Sequence, residues 1–146
     1  MQEKPNILFV QETKCSMSIL EKIAAKFWPG GQVTTVDAQG ASEGLAILWD
    51  ARVIQLSNIH ANKNFIQATF HLIDTNTHGH LTNVYFPQDS HLKAEILEHL
   101  STLNSNRHHP LWIAGGDFNM IARMEEKQGG KDNGIRDGHL LKDFIQ

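Results

Sequence analysis

Alternating apolar and polar residues in the middle of the chain are the feature that most constrains its fold. Within residues 65–73 the apolar side chains occupy every second position, which is typical of a strand with one buried face: Ile66, Ala68, Phe70 and Leu72. Residues 74–79 indicate a polar turn, and residues 81–86 predict a returning strand. Together with residues 52–59, these segments predict an antiparallel meander of strands.

Strand and helix patterns flank this meander on both sides. The apolar runs 7–10, 45–49 and 111–114 and the segment 32–36 each predict a strand, and the continuous run 7–10 indicates a strand buried on both faces. A capping box at Ser18 and Glu21 predicts a helix whose buried stripe is Ile19, Ile23 and Phe27. A second helix is predicted to begin at Asp89 or Ser90, with a stripe of Leu92, Ile96, Leu100 and Leu103. A third helical pattern begins at residue 139. This order predicts α/β layers in a single domain of residues 1–146.

Composition sets limits on the class of protein. The 146 residues are 40% hydrophobic and 20% charged, which is typical of a soluble globular domain. No apolar run approaches the roughly 20 residues of a membrane span. The formal net charge of −3 argues against a broad electrostatic surface for nucleic acid. Cys15 is the only cysteine and the N-terminus shows no signal-peptide pattern, so we expect an intracellular protein without a disulfide.

Four polar residues near predicted strand ends are candidates for a functional site. Glu12 follows the first strand, and Tyr85 lies near the end of another. Asp117 and Asn119 follow two glycines, and their spacing projects both side chains to the same side of an extended segment. A carboxylate can bind Mg²⁺ or direct a water molecule, and a carboxamide can stabilise developing charge. Ordinary solvated turns and a half-buried strand tyrosine use the same residue types, so these observations alone leave both interpretations open.

Four motifs occur in a fixed order along the chain: Gln11-Glu12-Thr13-Lys14, Gly44-Leu45-Ala46-Ile47-Leu48, Asn83-Val84-Tyr85-Phe86-Pro87 and Gly116-Asp117-Phe118-Asn119. In this order they resemble the endonuclease/exonuclease/phosphatase superfamily. Residues 116–121 and 125–130 are most similar to the apurinic-type endonuclease domain of plant LINE-like (non-LTR) retrotransposons. The resemblance covers nearly the whole chain.

The resemblance implies a four-layer α/β sandwich, in which two packed mixed or antiparallel sheets are flanked by helices. It implies hydrolysis of a phosphodiester, as in a DNA endonuclease, with Mg²⁺ or Mn²⁺ as cofactor. By resemblance, Glu12 is the metal-binding carboxylate and Tyr85 contacts the scissile phosphate. Asp117 positions or deprotonates the attacking water, and Asn119 supports the transition state.

Two parts of the family pattern are absent from this sequence. The family begins with a strand that carries a metal-binding Asn, and it ends with a Ser-Asp-His motif whose His binds the phosphate. None of the nine His residues lies in such a motif. We therefore expect a partial domain that lacks the first strand and the C-terminal portion, with an incomplete catalytic set and weak or no activity alone.

Two alternatives stay open at this stage. One is a non-catalytic remnant or interaction module of the same fold, which the absent His motif favours. The other is a phosphatase of the same superfamily that acts on phosphoinositides or another small phosphodiester, which is compatible with the net charge of −3. For the endonuclease, DNA is the expected substrate, a reverse transcriptase domain is expected downstream in the parent protein, and a retrotransposon origin implies nuclear localisation. No membrane partner is expected.

Overall fold

The computed structural model describes residues 4–36, 44–105 and 111–118. These residues form seven strands and two helices, in the following order: β1 (Ile7–Gln11), α1 (Met17–Phe27), β2 (Gly31–Val36), β3 (Leu45–Asp50), β4 (Ile54–Ala61), β5 (Phe65–Leu72), β6 (Thr77–Tyr85), α2 (Ser90–Ser105) and β7 (Trp112–Asp117). The prediction of a mixed α/β fold with two sheets is confirmed. The third helical pattern, from residue 139, lies outside the described residues.

The strands form a three-stranded sheet in the order β1-β3-β2 and a four-stranded sheet in the order β4-β5-β6-β7. The pairs β1–β3, β2–β3, β4–β5 and β5–β6 are antiparallel, so the predicted meander is confirmed. Strand β6 begins earlier than predicted, because Thr77 to His80 pair with the end of β5 although the sequence indicated a turn there. The turn is correspondingly short and ends at Asn76, whose φ of 50° suits its residue type.

The two sheets pack face to face across an apolar core. Alternate residues of β3 point into this core and meet the inward side chains of the four-stranded sheet, which include Ile66, Ala68, Phe70 and Leu81. The opposite side of β3 packs against α1. All six residues of β3 are therefore buried. The sequence predicted a strand buried on both faces at residues 7–10, but β1 is at the edge of its sheet and only partly buried.

Helix α1 differs from its prediction in both its cap and its buried side. Ser16 is the N-cap, and its hydroxyl oxygen accepts a hydrogen bond from the Ile19 N–H at 3.4 Å, so the predicted capping box at Ser18 is wrong. The buried residues are Leu20, Ala24 and the following Trp28. The predicted stripe is the more exposed side, with Ile19, Ile23 and Phe27 at 46, 36 and 36% exposure.

The described residues fall into two compact units, one within residues 1–85 and 109–116 and the other within residues 86–108 and 117–146. The second unit contains α2, where the Asp89 carboxylate accepts a hydrogen bond from the Leu92 N–H at 3.0 Å and so acts as the predicted cap. Its buried residues are Lys93, Leu97 and Leu100, whereas Leu92 is 45% exposed. Of the predicted stripe only Leu100 is buried. Neither of the two described helices is long and apolar enough to span a membrane.

Candidate functional site

Glu12 lies directly after β1, at the end of the three-stranded sheet. Its φ is +50°, in the left-handed region that non-glycine residues rarely occupy. Lys14, two residues later, has the same φ. Such backbone conformations cost of order 1–3 kcal/mol each and concentrate at functional sites, because the surrounding structure must hold them in place. The Glu12 side chain is exposed to solvent.

The Tyr85 hydroxyl donates a hydrogen bond to Glu12 Oε1 at 2.6 Å. The two residues are 73 positions apart, and each lies at the end of a strand from a different sheet. A hydrogen bond from a hydroxyl to a carboxylate is charge-assisted and stronger than one between neutral groups. The fold therefore brings together the two residues that the sequence proposed as metal ligand and phosphate contact.

Beneath this pair, a buried carboxamide joins the two sheets. Asn83 is fully buried and hydrogen-bonds to Gln11 and to the main-chain carbonyls of Val10 and Ala46. Asn83 and Gln11 both lie within the motifs named above, but neither had a role predicted from the sequence. The sequence did indicate a special role for Asn83, because its polar side chain lies between Leu81 and Tyr85 on the face of β6 that points into the core.

Two glycines of β7 allow a close approach of backbones at the same end of the four-stranded sheet. Gly116 has a φ of +122°, and a Cβ there would overlap the carbonyl oxygen of Val84 and lie 2.8 Å from its nitrogen. At Gly115 a Cβ would lie 3.3 Å from the Phe9 ring. Gly116 is required at its position by both its φ and its packing, whereas a side chain at Gly115 would need the Phe9 ring to shift by a few tenths of an ångström.

Asp117 is the last residue of β7 and belongs to the second compact unit. Its carbonyl oxygen accepts a hydrogen bond from the Phe86 N–H at 2.9 Å, and the next residue, Phe118, contacts the Phe86 ring edge-to-face with centroids 5.3 Å apart. The Asp117 side chain is exposed. Asn119, the fourth predicted site residue, lies outside the described residues.

Glu12 provides one oxygen donor of the kind that hard divalent cations bind. Among residues 4–36, 44–105 and 111–118, no group of three or more His, Cys, Asp or Glu side chains could hold a metal ion. Mg²⁺ requires no such group, since it often binds one or two carboxylates together with waters and phosphate oxygens. Glu12 supplies one carboxylate. The buried hydroxyl of Thr13 beside it has no hydrogen-bond partner within the described part of the chain.

Comparison with solved structures shows which proteins share this fold. The human Nocturnin catalytic domain with bound sulfate superposes with a TM-score of 0.69 at 15% identity, covering 97% of this chain and 57% of that one. An endonuclease/exonuclease/phosphatase family protein from Bacteroides thetaiotaomicron gives 0.58 at 17% identity, covering 79% and 49%. TDP2 from D. rerio, complexed with a single-strand DNA product, gives 0.59 at 10% identity, covering 92% and 52%.

These comparisons show that the chain has the endonuclease/exonuclease/phosphatase fold. The chain spans only about half the length of these three proteins, between 49 and 57%. Searches against family profiles and against curated proteins find no match.

Proposed function

We propose that this chain is part of a divalent-metal-dependent phosphodiesterase whose substrate is DNA. The observation that carries the proposal is the 2.6 Å hydrogen bond from Tyr85 to Glu12, which links the ends of two strands from different sheets where the loop after β1 has a left-handed backbone. The likeness in fold to a protein complexed with a single-strand DNA product supports the choice of substrate.

In this proposal each residue has one role. The Glu12 carboxylate holds the cation, and Tyr85 contacts a phosphate oxygen. Asp117 directs or deprotonates the attacking water, and Asn119 donates a hydrogen bond to the charge that develops on the phosphate. Bound Mg²⁺ or Mn²⁺ would supply neutralisation of phosphate charge and stabilisation of the leaving oxygen.

Cation binding is the first test, because it does not require catalytic turnover. We expect the purified chain to bind Mn²⁺ in calorimetric titration, and Glu12→Gln to weaken binding at least tenfold. Glu21→Gln, an exposed position on α1, is the matched control for the change in charge and should bind as the wild type does. Equal binding by the wild type and Glu12→Gln would refute the assignment of Glu12.

Cleavage is the second test. Because the chain spans about half of its structural relatives, we expect little or no nicking of plasmid or abasic-site DNA by the chain alone. If nicking occurs, Asp117→Ala should lower its rate by about 10²–10⁴, the usual contribution of a positioned base. Nicking that Asp117→Ala abolishes would overturn the expected inactivity and support the role of Asp117.

A phosphatase acting on a small phosphodiester is the second candidate, and it is compatible with the net charge of −3. A strongly basic groove is usual for nucleic-acid binding, whereas a small phosphodiester needs only a local cation. Competition for Mn²⁺-dependent binding between a short single-stranded DNA and a soluble phosphoinositide headgroup distinguishes the two.

A LINE-like retrotransposon origin, with nuclear localisation and a downstream reverse transcriptase, extends the same proposal. It rests on residues 116–121 and 125–130, most of which lie outside the described residues. The test is to sequence transcript and genomic DNA beyond the codon for Gln146. A reading frame continuing through a Ser-Asp-His motif into a reverse transcriptase would support the origin, and a stop codon in a genuine transcript would oppose it.

A further inference from the structure

Asn83 is a polar residue at a position where the strand pattern calls for an apolar one. Leu81, Asn83 and Tyr85 share the inward face of β6, and Leu81 belongs to the core between the sheets. Asn83 is 0% exposed. A carboxamide in such a place is costly unless its hydrogen bonds are made.

The partners of Asn83 determine the orientation of its amide. Nδ2 donates to the carbonyl oxygens of Val10 at 3.2 Å and Ala46 at 2.9 Å, which are acceptors only. Oδ1 must therefore face the other way, where it accepts a hydrogen bond from Gln11 Nε2 at 2.6 Å. Val10 and Ala46 are directly paired residues of β1 and β3. One side chain of the four-stranded sheet thus links two strands of the other sheet.

This linkage lies next to the Glu12–Tyr85 pair in both sequence and space. Gln11 immediately precedes Glu12, and Asn83 lies two residues before Tyr85 on the same face of β6. The backbone at Glu12 is in a left-handed conformation that something must hold in place. The carboxamide pair holds the end of β1 against the end of β6, at the point from which both site side chains project.

We propose that Asn83 and Gln11 are positioning residues that set the distance between the Glu12 carboxylate and the Tyr85 hydroxyl. The inference depends on the proposed function in one respect, since the distance matters because it aligns the cation with the phosphate. Tyr85 is the hydrogen-bonded partner of the proposed metal ligand Glu12, and the loss of such a partner commonly changes metal affinity 10–100-fold, so we expect loss of the linkage to act through Tyr85.

The test uses Tyr85 as its own probe, because it is the only tyrosine in the chain. The tyrosine Fermi doublet in the Raman spectrum reports whether the phenol donates to a strong acceptor, without metal or substrate. The variants are Asn83→Leu, which removes the linkage, and Gln11→Met, which removes one donor from a partly exposed side chain and is the milder change. Thermal melts establish that each variant is folded.

Two controls define the scale. Glu12→Gln replaces the charged acceptor and gives the doublet expected when the strong hydrogen bond is lost. Thr82→Val is the matched control, since Thr82 is equally buried on β6 but bonds to Trp112, at 2.8 Å from Nε1 to Oγ1, and not to the linkage. Thr82→Val should lower the melting temperature and leave the intensity ratio of the doublet unchanged.

In folded Asn83→Leu and Gln11→Met we expect the intensity ratio of the two doublet bands to move towards the ratio found for Glu12→Gln. We also expect the Mn²⁺ affinity to fall roughly 10–100-fold. A wild-type intensity ratio of the doublet in folded Asn83→Leu overturns the role of Asn83, and the same result in folded Gln11→Met overturns the role of Gln11. If Asn83→Leu does not fold, Gln11→Met decides alone. A shifted doublet in a chain that binds no Mn²⁺ supports the positioning role and refutes the proposed function, so the two failures are distinguishable.

Discussion

Gly116 shows how strongly one residue can be constrained by its neighbours. Its φ of +122° is accessible to glycine alone at low cost, and a Cβ would also overlap the backbone of Val84. Gly30 provides a natural comparison, because its φ of +76° is also positive but a Cβ there would meet nothing within 4 Å. A side chain at Gly30 would therefore cause conformational strain alone, whereas a side chain at Gly116 would cause both strain and steric overlap.

We expect Gly30→Ala to destabilise the protein by about 1–2 kcal/mol, the usual cost of a left-handed non-glycine residue. Gly116→Ala should cost clearly more, since β7 must also move away from β6. Urea denaturation of the two variants at neutral pH measures the difference. Equal destabilisation would show that β7 can shift without cost.

Asp50 and Arg52 form an ion pair at the end of β3, far along that strand from Leu45, which pairs with Gln11. Arg52 donates from Nη2 to Oδ2 at 2.8 Å and from Nε to Oδ1 at 3.0 Å. These hydrogen bonds lower the pKa of the Asp50 carboxyl below its ordinary value of 3.8, while burial opposes the shift. A lowered pKa in the folded state stabilises the protein above the unfolded value and loses this effect as the pH falls through the folded value.

Asp50→Asn should therefore lower the urea midpoint at pH 7, and its difference from the wild type should close as the pH falls below about 4. Urea midpoints from pH 7 downwards measure this. Asp74→Asn, in the exposed turn before β6, changes the charge equally and controls for net-charge effects. A difference that persists unchanged to the lowest pH at which the protein folds would contradict the linkage.

At the scale of the element, helix α1 shows why sequence patterns misplace a buried side. Its sequence carries two adjacent apolar stripes, Ile19-Ile23-Phe27 and Leu20-Ala24-Trp28, and both satisfy helical periodicity. The smaller Ala24 allows close contact with β2, where a Cβ on Gly31 would overlap the Ala24 carbonyl. Trp28 Nε1 also donates to the Pro5 carbonyl oxygen at 2.9 Å. Packing and one long-range hydrogen bond selected the second stripe.

The neighbouring residues Leu20 and Ile19 test this choice. We expect Leu20→Ala, at a site 4% exposed, to cost about 2–5 kcal/mol, as for other buried leucines. Ile19→Ala, at 46% exposure, should cost less than half as much because the side chain is already largely in water. The free energy of unfolding from urea titration decides. A larger loss for Ile19→Ala than for Leu20→Ala would show that the predicted stripe is the buried one.

At the scale of the whole molecule, β3 holds the layers together, since it has a paired strand on each side, the other sheet on one face and α1 on the other. Native-state hydrogen exchange should therefore be slowest for its amides, which open only with the core. Strand β4 is at a sheet edge and mostly exposed, so its amides should exchange faster. Comparable protection in β4 and β3 would show that the two sheets open as one unit.

The sequence alone determined the alternation of strands and helices, the meander and the residue types of the candidate site, because periodicity and turn chemistry are local properties. It therefore predicted each of the seven strands in the described part of the chain, and it named Glu12 and Tyr85 individually as candidates. Only the tertiary structure decided that their side chains meet and which stripe of α1 is buried. It also decided that Asn83 and Gln11 join the sheets beneath the site. These outcomes depend on contacts between residues up to 73 positions apart, which no local pattern encodes.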